Sequence, residues 1–103
     1  MTQIQNNLIL TAIVPEGLKD KVVDTLMDES CISGFSLVKI QGFSKANSHY
    51  NVSEQVEGYR DFYRFEIIHN EVNSEQLRHL LSTTNPDKII RYWITPLLEV
   101  GVL

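Results

Sequence analysis

The chain has 103 residues and a formal net charge of −4 at pH 7, and its apolar and charged fractions are ordinary for a globular protein. That length predicts a single domain over residues 1–103, with a core small enough for oligomerisation to add stability. The acidic balance disfavours a nucleic-acid partner, whose phosphates are bound mostly by clustered Lys and Arg, and a lone cysteine excludes an intrachain disulfide.

The first predicted element is a β-strand over residues 8–14, whose apolar residues on both faces are typical of a strand covered on both sides. Pro15 fits the first turn of a helix, where its missing N–H costs nothing. The helix carries an apolar stripe at helical spacing, made of Leu18, Val22, Val23, Leu26 and Met27. A second strand is predicted over residues 35–40.

A polar stretch at residues 46–58 separates the second strand from the third and shows no helical apolar period. It is much longer than the tight turn that usually joins neighbouring strands, and long loops in small domains are usually functional or disordered. We therefore predict a protruding loop at about residues 43–58, which favours a binding or signalling protein over an enzyme. The third strand is predicted over residues 59–68, with one face formed by Tyr59, Tyr63, Phe65 and Ile67.

A second helix is predicted to begin at a capping box formed by Asn73 and Gln76, with Ser74 as a rival cap one position on. Its apolar stripe consists of Leu77, Leu80 and Leu81. A fourth strand follows over residues 88–95, and residues 97–103 predict a short fifth strand after the interruption at Pro96.

The order of these elements, βαββαβ, predicts an α+β fold of the ferredoxin-like type, with an antiparallel sheet and two helices on one face. The other face of the sheet would expose apolar groups from the first strand. Because an exposed apolar patch of that size usually marks an interface, we predict a homo-oligomer. The first residues lack the basic region and cleavage site of a signal peptide, and no apolar run reaches about 18 residues, so we expect a cytoplasmic protein without membrane insertion.

The residues that could carry chemistry are few. His49 lies in the long loop near Glu54 and Glu57, and these residue types can bind a divalent metal. Their spacing matches no established motif, so a solvated polar loop remains the alternative. His69 and His79 are predicted to be surface residues. We find no nucleophile beside a base and no glycine-rich phosphate loop, and we expect no enzymatic activity.

Two sequence motifs indicate a family. Residues 38–45, VKIQGFSK, resemble the entry to the T-loop of PII signalling proteins, the nitrogen regulatory proteins, where a V-x-x-x-G-F-G-R-Q pattern ends the second strand. EQVEG at residues 54–58 and RYWITPLLEVGVL at residues 91–103 resemble an uncharacterised bacterial family of PII-like proteins, often encoded beside heavy-metal efflux systems.

The resemblance implies a homotrimer of ferredoxin-like subunits that binds a small ligand in the clefts between subunits. It also implies that the T-loop docks a partner, such as a transporter or efflux-system protein. The base of the loop and the cleft wall would consist of Gly42, Phe43, Ser44, Lys45 and Gly58.

The chain departs from the PII pattern where PII proteins bind ATP. Ser44 and Lys45 replace a glycine and an arginine, and the loop before the fourth strand has no glycine. We therefore expect no PII-type ATP site, and the ligand stays unassigned. The alternative is a divalent heavy-metal-binding or metal-tolerance protein resembling the trimeric CutA group, with His49, Glu54 and Glu57 as ligands.

Overall fold

The structure is a computed structural model that describes residues 6–43 and 60–103. Within them lie four β-strands and two α-helices, and a short 3₁₀ turn precedes each helix. The strands are β1 (Asn7–Pro15), β2 (Ser36–Gly42), β3 (Arg60–Asn70) and β4 (Arg91–Pro96). The helices are α1 (Lys19–Met27) and α2 (Ser74–Thr83), and the 3₁₀ turns span Glu16–Leu18 and Glu71–Asn73.

The four strands form one antiparallel sheet in the order β2-β3-β1-β4. β1 is central because it pairs with both β3 and β4. This is an α+β fold with a four-stranded sheet and two helices, and the order of the strands is compatible with the ferredoxin-like arrangement predicted above.

The predicted fifth strand is wrong, because residues 97–103, which the structure describes, form no strand. The Leu97 N–H donates to the Asn7 carbonyl oxygen at 3.0 Å. Beyond Leu97, the tail backbone forms no hydrogen bond with another element of residues 6–43 and 60–103.

The core lies between the helices and one face of the sheet. Leu10, Ala12 and Val14 alternate along β1 and are fully buried. They pack with side chains from the neighbouring strand and from both helices, namely Phe65, Ile67, Val22, Leu26, Leu77 and Leu81. The predicted stripe of α1 is right except at Met27, the last residue of the helix, which is 71% exposed.

The opposite face of the sheet, called the open face below, is formed by the alternate residues of the four strands. Thr11 lies between Glu66 and Trp93, and Ile13 lies between Arg64 and Arg91. No helix of the described residues packs against this face, and its exposed apolar side chains include Val38, Ile68 and Trp93. Thr11 and Ile13 are nevertheless buried, because they occupy the central strand between longer side chains.

The start of α2 differs from the predicted capping box. Asn73 is the N-cap residue, but its side chain makes no capping hydrogen bond and donates instead to the Cys31 carbonyl oxygen at 3.4 Å. The 3₁₀ turn ahead of the helix is capped by Asn70, whose Oδ1 accepts from the Val72 N–H at 3.0 Å. The capping side chain is therefore that of Asn70, about one turn before Asn73, the residue that the sequence pattern indicated.

Candidate functional site

The residues predicted to form the base of the long loop are only partly described. Gly42 ends β2 and pairs with Arg60 at the start of β3, and Phe43 follows it with 72% of its side chain exposed. The other predicted site residues lie outside the described residues: Ser44, Lys45, His49, Glu54, Glu57 and Gly58.

The backbone at Gly42 has no room for a side chain. A Cβ atom at this position would lie 2.5 Å from Cδ2 and 2.6 Å from Cε2 of Phe62. The Phe62 ring therefore occupies the space that any larger residue would need. Both residues lie on the open face, since Phe62 pairs with Ile40, two residues before Gly42. This aromatic cover of a glycine at the end of β2 supports the point where the chain leaves the sheet.

We expect Gly42→Ala to lower the free energy of unfolding by about 1–3 kcal/mol, because the new methyl group must displace the Phe62 ring. Urea unfolding followed by circular dichroism measures the change. Gly34→Ala is the matched control, because a Cβ there meets nothing within 4 Å. Equal stability of the two variants would show that the Phe62 ring yields without strain.

A second concave surface lies at the opposite end of the sheet, where the α1–β2 loop meets the turn between β3 and α2. It is an open concavity of about 570 Å³. Its lining includes Cys31, His69, Asn70, Asn73 and Val100. The mixture of a thiol, an imidazole and two amides makes this concavity polar, and it lies at the end of the sheet opposite to Gly42.

His69 is buried, which corrects the prediction that it is a surface residue. Only 3% of it is exposed. The reason is that β3 continues to Asn70, two residues beyond its predicted end, so the alternation that buries Phe65 and Ile67 reaches His69 as well. His79, by contrast, is exposed on α2 as predicted.

The buried imidazole joins β3 to α2. Its Nδ1 lies 3.1 Å from the Ile67 carbonyl oxygen, and its Nε2 lies 2.7 Å from Ser74 Oγ. Because a carbonyl oxygen only accepts, we assign the proton of the neutral ring to Nδ1, which leaves Nε2 to accept from the Ser74 hydroxyl.

The pairing of His69 with Ser74 was missed by the sequence analysis. A serine hydroxyl that donates to an imidazole is part of a nucleophile-and-base arrangement. Here, however, the second ring nitrogen is bonded to a backbone carbonyl oxygen and the ring is buried. The geometry fixes the first turn of α2 against the end of β3. The alternation of Phe65 and Ile67, if extended to His69, predicts that the imidazole is buried. A serine at the start of the next helix is then a plausible partner in sequence for that imidazole.

Cys31 lies in the same concavity and is half-buried. Its N–H donates to Glu29 Oε1 at 3.1 Å. Burial, and then a hydrogen bond with the Glu29 carboxylate and its charge, raise the pKa of the Cys31 thiol. The thiol therefore stays protonated at neutral pH and is a weak nucleophile and metal ligand. In the described ranges no three His, Cys, Asp or Glu residues are grouped so that they could hold a metal ion.

A smaller cavity of about 100 Å³ lies between the end of α2 and β4, lined by residues that include Arg78, Ser82, Asn85 and Tyr92. Cavities that enclose drug-sized ligands are usually about 300–1,000 Å³. This one is therefore too small to enclose a nucleotide within one copy of the chain.

Among the helices that the structure describes, none has both the length and the apolar composition needed to cross a membrane. No curated protein matches the chain in sequence. A crystal structure of a DUF3240 family protein from Shewanella baltica OS155 is 35% identical, with a TM-score of 0.80, and the match covers 97% of this chain and 99% of that one. The model of a protein family of unknown function, DUF3240, matches residues 4–103, and the chain belongs to that family.

Proposed function

We propose that the chain is a PII-like regulatory module that assembles as a homotrimer, binds a small ligand at clefts between subunits and docks a partner protein through residues 43–58. The observation that carries this proposal is the pairing of Gly42 with Arg60. It brings the two ends of the intervening segment together at one end of the sheet, where the T-loop motif of the sequence begins. The role is regulatory and not catalytic.

Side-chain contacts between β2 and β3 hold the base of that segment in place. The Phe62 ring covers Gly42, and Lys39 Nζ lies 3.9 Å from Asp61 Oδ2 across the β2–β3 pair. Phe43 is the first residue beyond the strand and exposes most of its side chain. A ligand that contacts this base in one conformation of the segment and not in another shifts the balance between them, and a partner protein senses the shift.

The open face favours an assembly of copies. Val38, Ile68 and Trp93 are 44%, 42% and 47% exposed on a sheet that no described helix covers from that side. An apolar surface of this kind is typical of an interface, and most homo-oligomers are closed and symmetric. Clefts between subunits exist only in an assembly, so the proposed function requires that the chain self-associates.

A thermal-shift screen of nucleotides and divalent metals tests the ligand. A specific ligand raises the melting temperature by an amount that grows with its concentration. We expect Phe43→Ala to reduce that shift and Val72→Ala, also exposed but at the opposite end of the sheet, to preserve it. Light scattering tests the assembly in parallel. A monomer at micromolar concentration, or shifts equal in both variants, would contradict the proposed site.

The alternative, a divalent-metal-binding protein resembling the CutA group, depends on His49, Glu54 and Glu57. Titration with zinc by calorimetry on the wild type and on His49→Ala distinguishes the two functions. Heat that is lost in the variant would favour the metal protein. Equal heats would remove this site and leave the regulatory proposal as it stands.

A further inference from the structure

The C-terminal residues 97–103, called the tail below, are mostly apolar and belong to none of the strands and helices that the structure describes. Leu98, Val102 and Leu103 are 104%, 100% and 125% exposed, as fully as in an extended peptide. Within the described part of the chain, the tail backbone makes one hydrogen bond to another element, from Leu97 to Asn7. A short apolar stretch with free backbone groups is an aggregation hazard unless another surface covers it.

The open face offers a surface of matching chemistry. It combines exposed apolar side chains, among them Val38 and Ile68, with two guanidinium groups, of Arg64 and Arg91, and the carboxylate of Glu66, so that positive charge is in excess. Neither arginine forms an ion pair with another of the described residues. The tail carries leucines and valines, and its one charged side chain is the carboxylate of Glu99. Apolar contacts and charge are therefore complementary between the tail and the open face.

The tail does not cover the open face of its own chain. Val100 lines the polar concavity beside Ile68 and His69, which places the middle of the tail at the end of its own sheet. From there Leu98 and Val102 remain in solvent, although the open face of the same chain has exposed apolar groups. Among the elements that the structure describes, none removes these side chains from water.

We propose that the tail of one copy of the chain docks on the open face of a neighbouring copy. Every copy provides one tail and one open face, so both surfaces are covered in a fixed one-to-one ratio without any other protein. Such a contact joins two different surfaces, and contacts of that type form a closed ring when their rotation closes. The inference deepens the proposed function, because it rests on the self-association of the chain and specifies the surfaces that hold the copies together.

Light scattering of the wild type and of tail variants tests the proposal. We expect the wild type to have a multiple of the single-chain mass of 11.8 kDa. Leu98→Asp and Val102→Asp should reduce it to the single-chain mass, because a carboxylate at either position cannot be buried on an apolar surface. Val72→Asp is the matched control, because Val72 is 84% exposed outside the tail. It should keep the mass of the wild type.

The outcomes separate this inference from the proposed function. A monomeric wild type would overturn both. A multimeric wild type whose tail variants keep their mass would overturn the docking of the tail and leave the proposed assembly intact. Circular dichroism of each variant checks that a loss of mass is not a loss of folding, since both aspartates replace side chains that the single chain leaves in solvent.

Disulfide cross-linking locates the contact. In a Cys31→Ser background, chains with Leu98→Cys are mixed with chains with Val38→Cys or Ile68→Cys and oxidised. We expect cross-linked pairs with at least one of the open-face positions. Met27→Cys, exposed beside the helices, should give none. Cross-links to Met27→Cys alone, or none to the open face in a multimeric sample, would overturn the assignment of the open face as the docking surface.

Discussion

Replacing Phe65 with alanine should lower the free energy of unfolding by about 3–5 kcal/mol, the usual cost of removing a buried aromatic ring. Phe65 is fully buried at the centre of the sheet, where it pairs with Ala12 on one side and Leu37 on the other. Its ring also stacks on Phe35, with the centroids 5.9 Å apart.

Urea unfolding at a fixed protein concentration measures this change. Small domains have a total stability of about 5–15 kcal/mol, so the variant should be close to unfolding at room temperature. Met27→Ala is the control, because Met27 is 71% exposed and its truncation should change the stability by less than about 0.5 kcal/mol. A Phe65→Ala variant no less stable than Met27→Ala would show that the centre of the sheet is not the core.

Replacing His69 with leucine should lower the free energy of unfolding by about 1–3 kcal/mol. Leucine nearly fills the same space, but it leaves the Ser74 hydroxyl and the Ile67 carbonyl oxygen without the imidazole that now bonds to both. A double-mutant cycle with Ser74→Ala isolates the contact between the two side chains, and groups in direct contact usually couple by about 0.5–3 kcal/mol.

His79→Leu is the matched control for this cycle, because His79 is exposed on α2 and the same substitution there removes no buried contact. Its stability should stay within about 0.5 kcal/mol of the wild type. Additive effects of the His69 and Ser74 substitutions would contradict the reading of this pair as the link between β3 and α2.

The arrangement of strands and helices could be predicted because the apolar periods are regular. Leu10, Ala12 and Val14 alternate with period two, and the stripe at Leu77, Leu80 and Leu81 has helical spacing. Errors occurred where a tertiary contact decided the local structure. His69 is buried because β3 is longer than predicted, and Asn73 bonds to Cys31 rather than capping its own helix.

The polar concavity was less predictable than the fold, for a physical reason. The polar concavity combines residues from the α1–β2 loop, the end of β3 and the tail, which the sequence separates widely. No local pattern indicates that Cys31, His69 and Val100 meet, because the strand order alone brings them together. Gly42 was recognised through its motif, whereas its physical reason, the Phe62 ring, depends on the register of β2 and β3.

The central position of β1 has a consequence for biosynthesis. Leu10 pairs with Ile67 on one side and with Ile94 on the other, so β1 leaves the ribosome long before either of its partner strands. At about 5–20 residues per second, that delay is several seconds or more. Until then the apolar side chains of β1, such as Leu10 and Val14, have no partner strand, and an unpaired apolar strand is prone to aggregate while a chain folds.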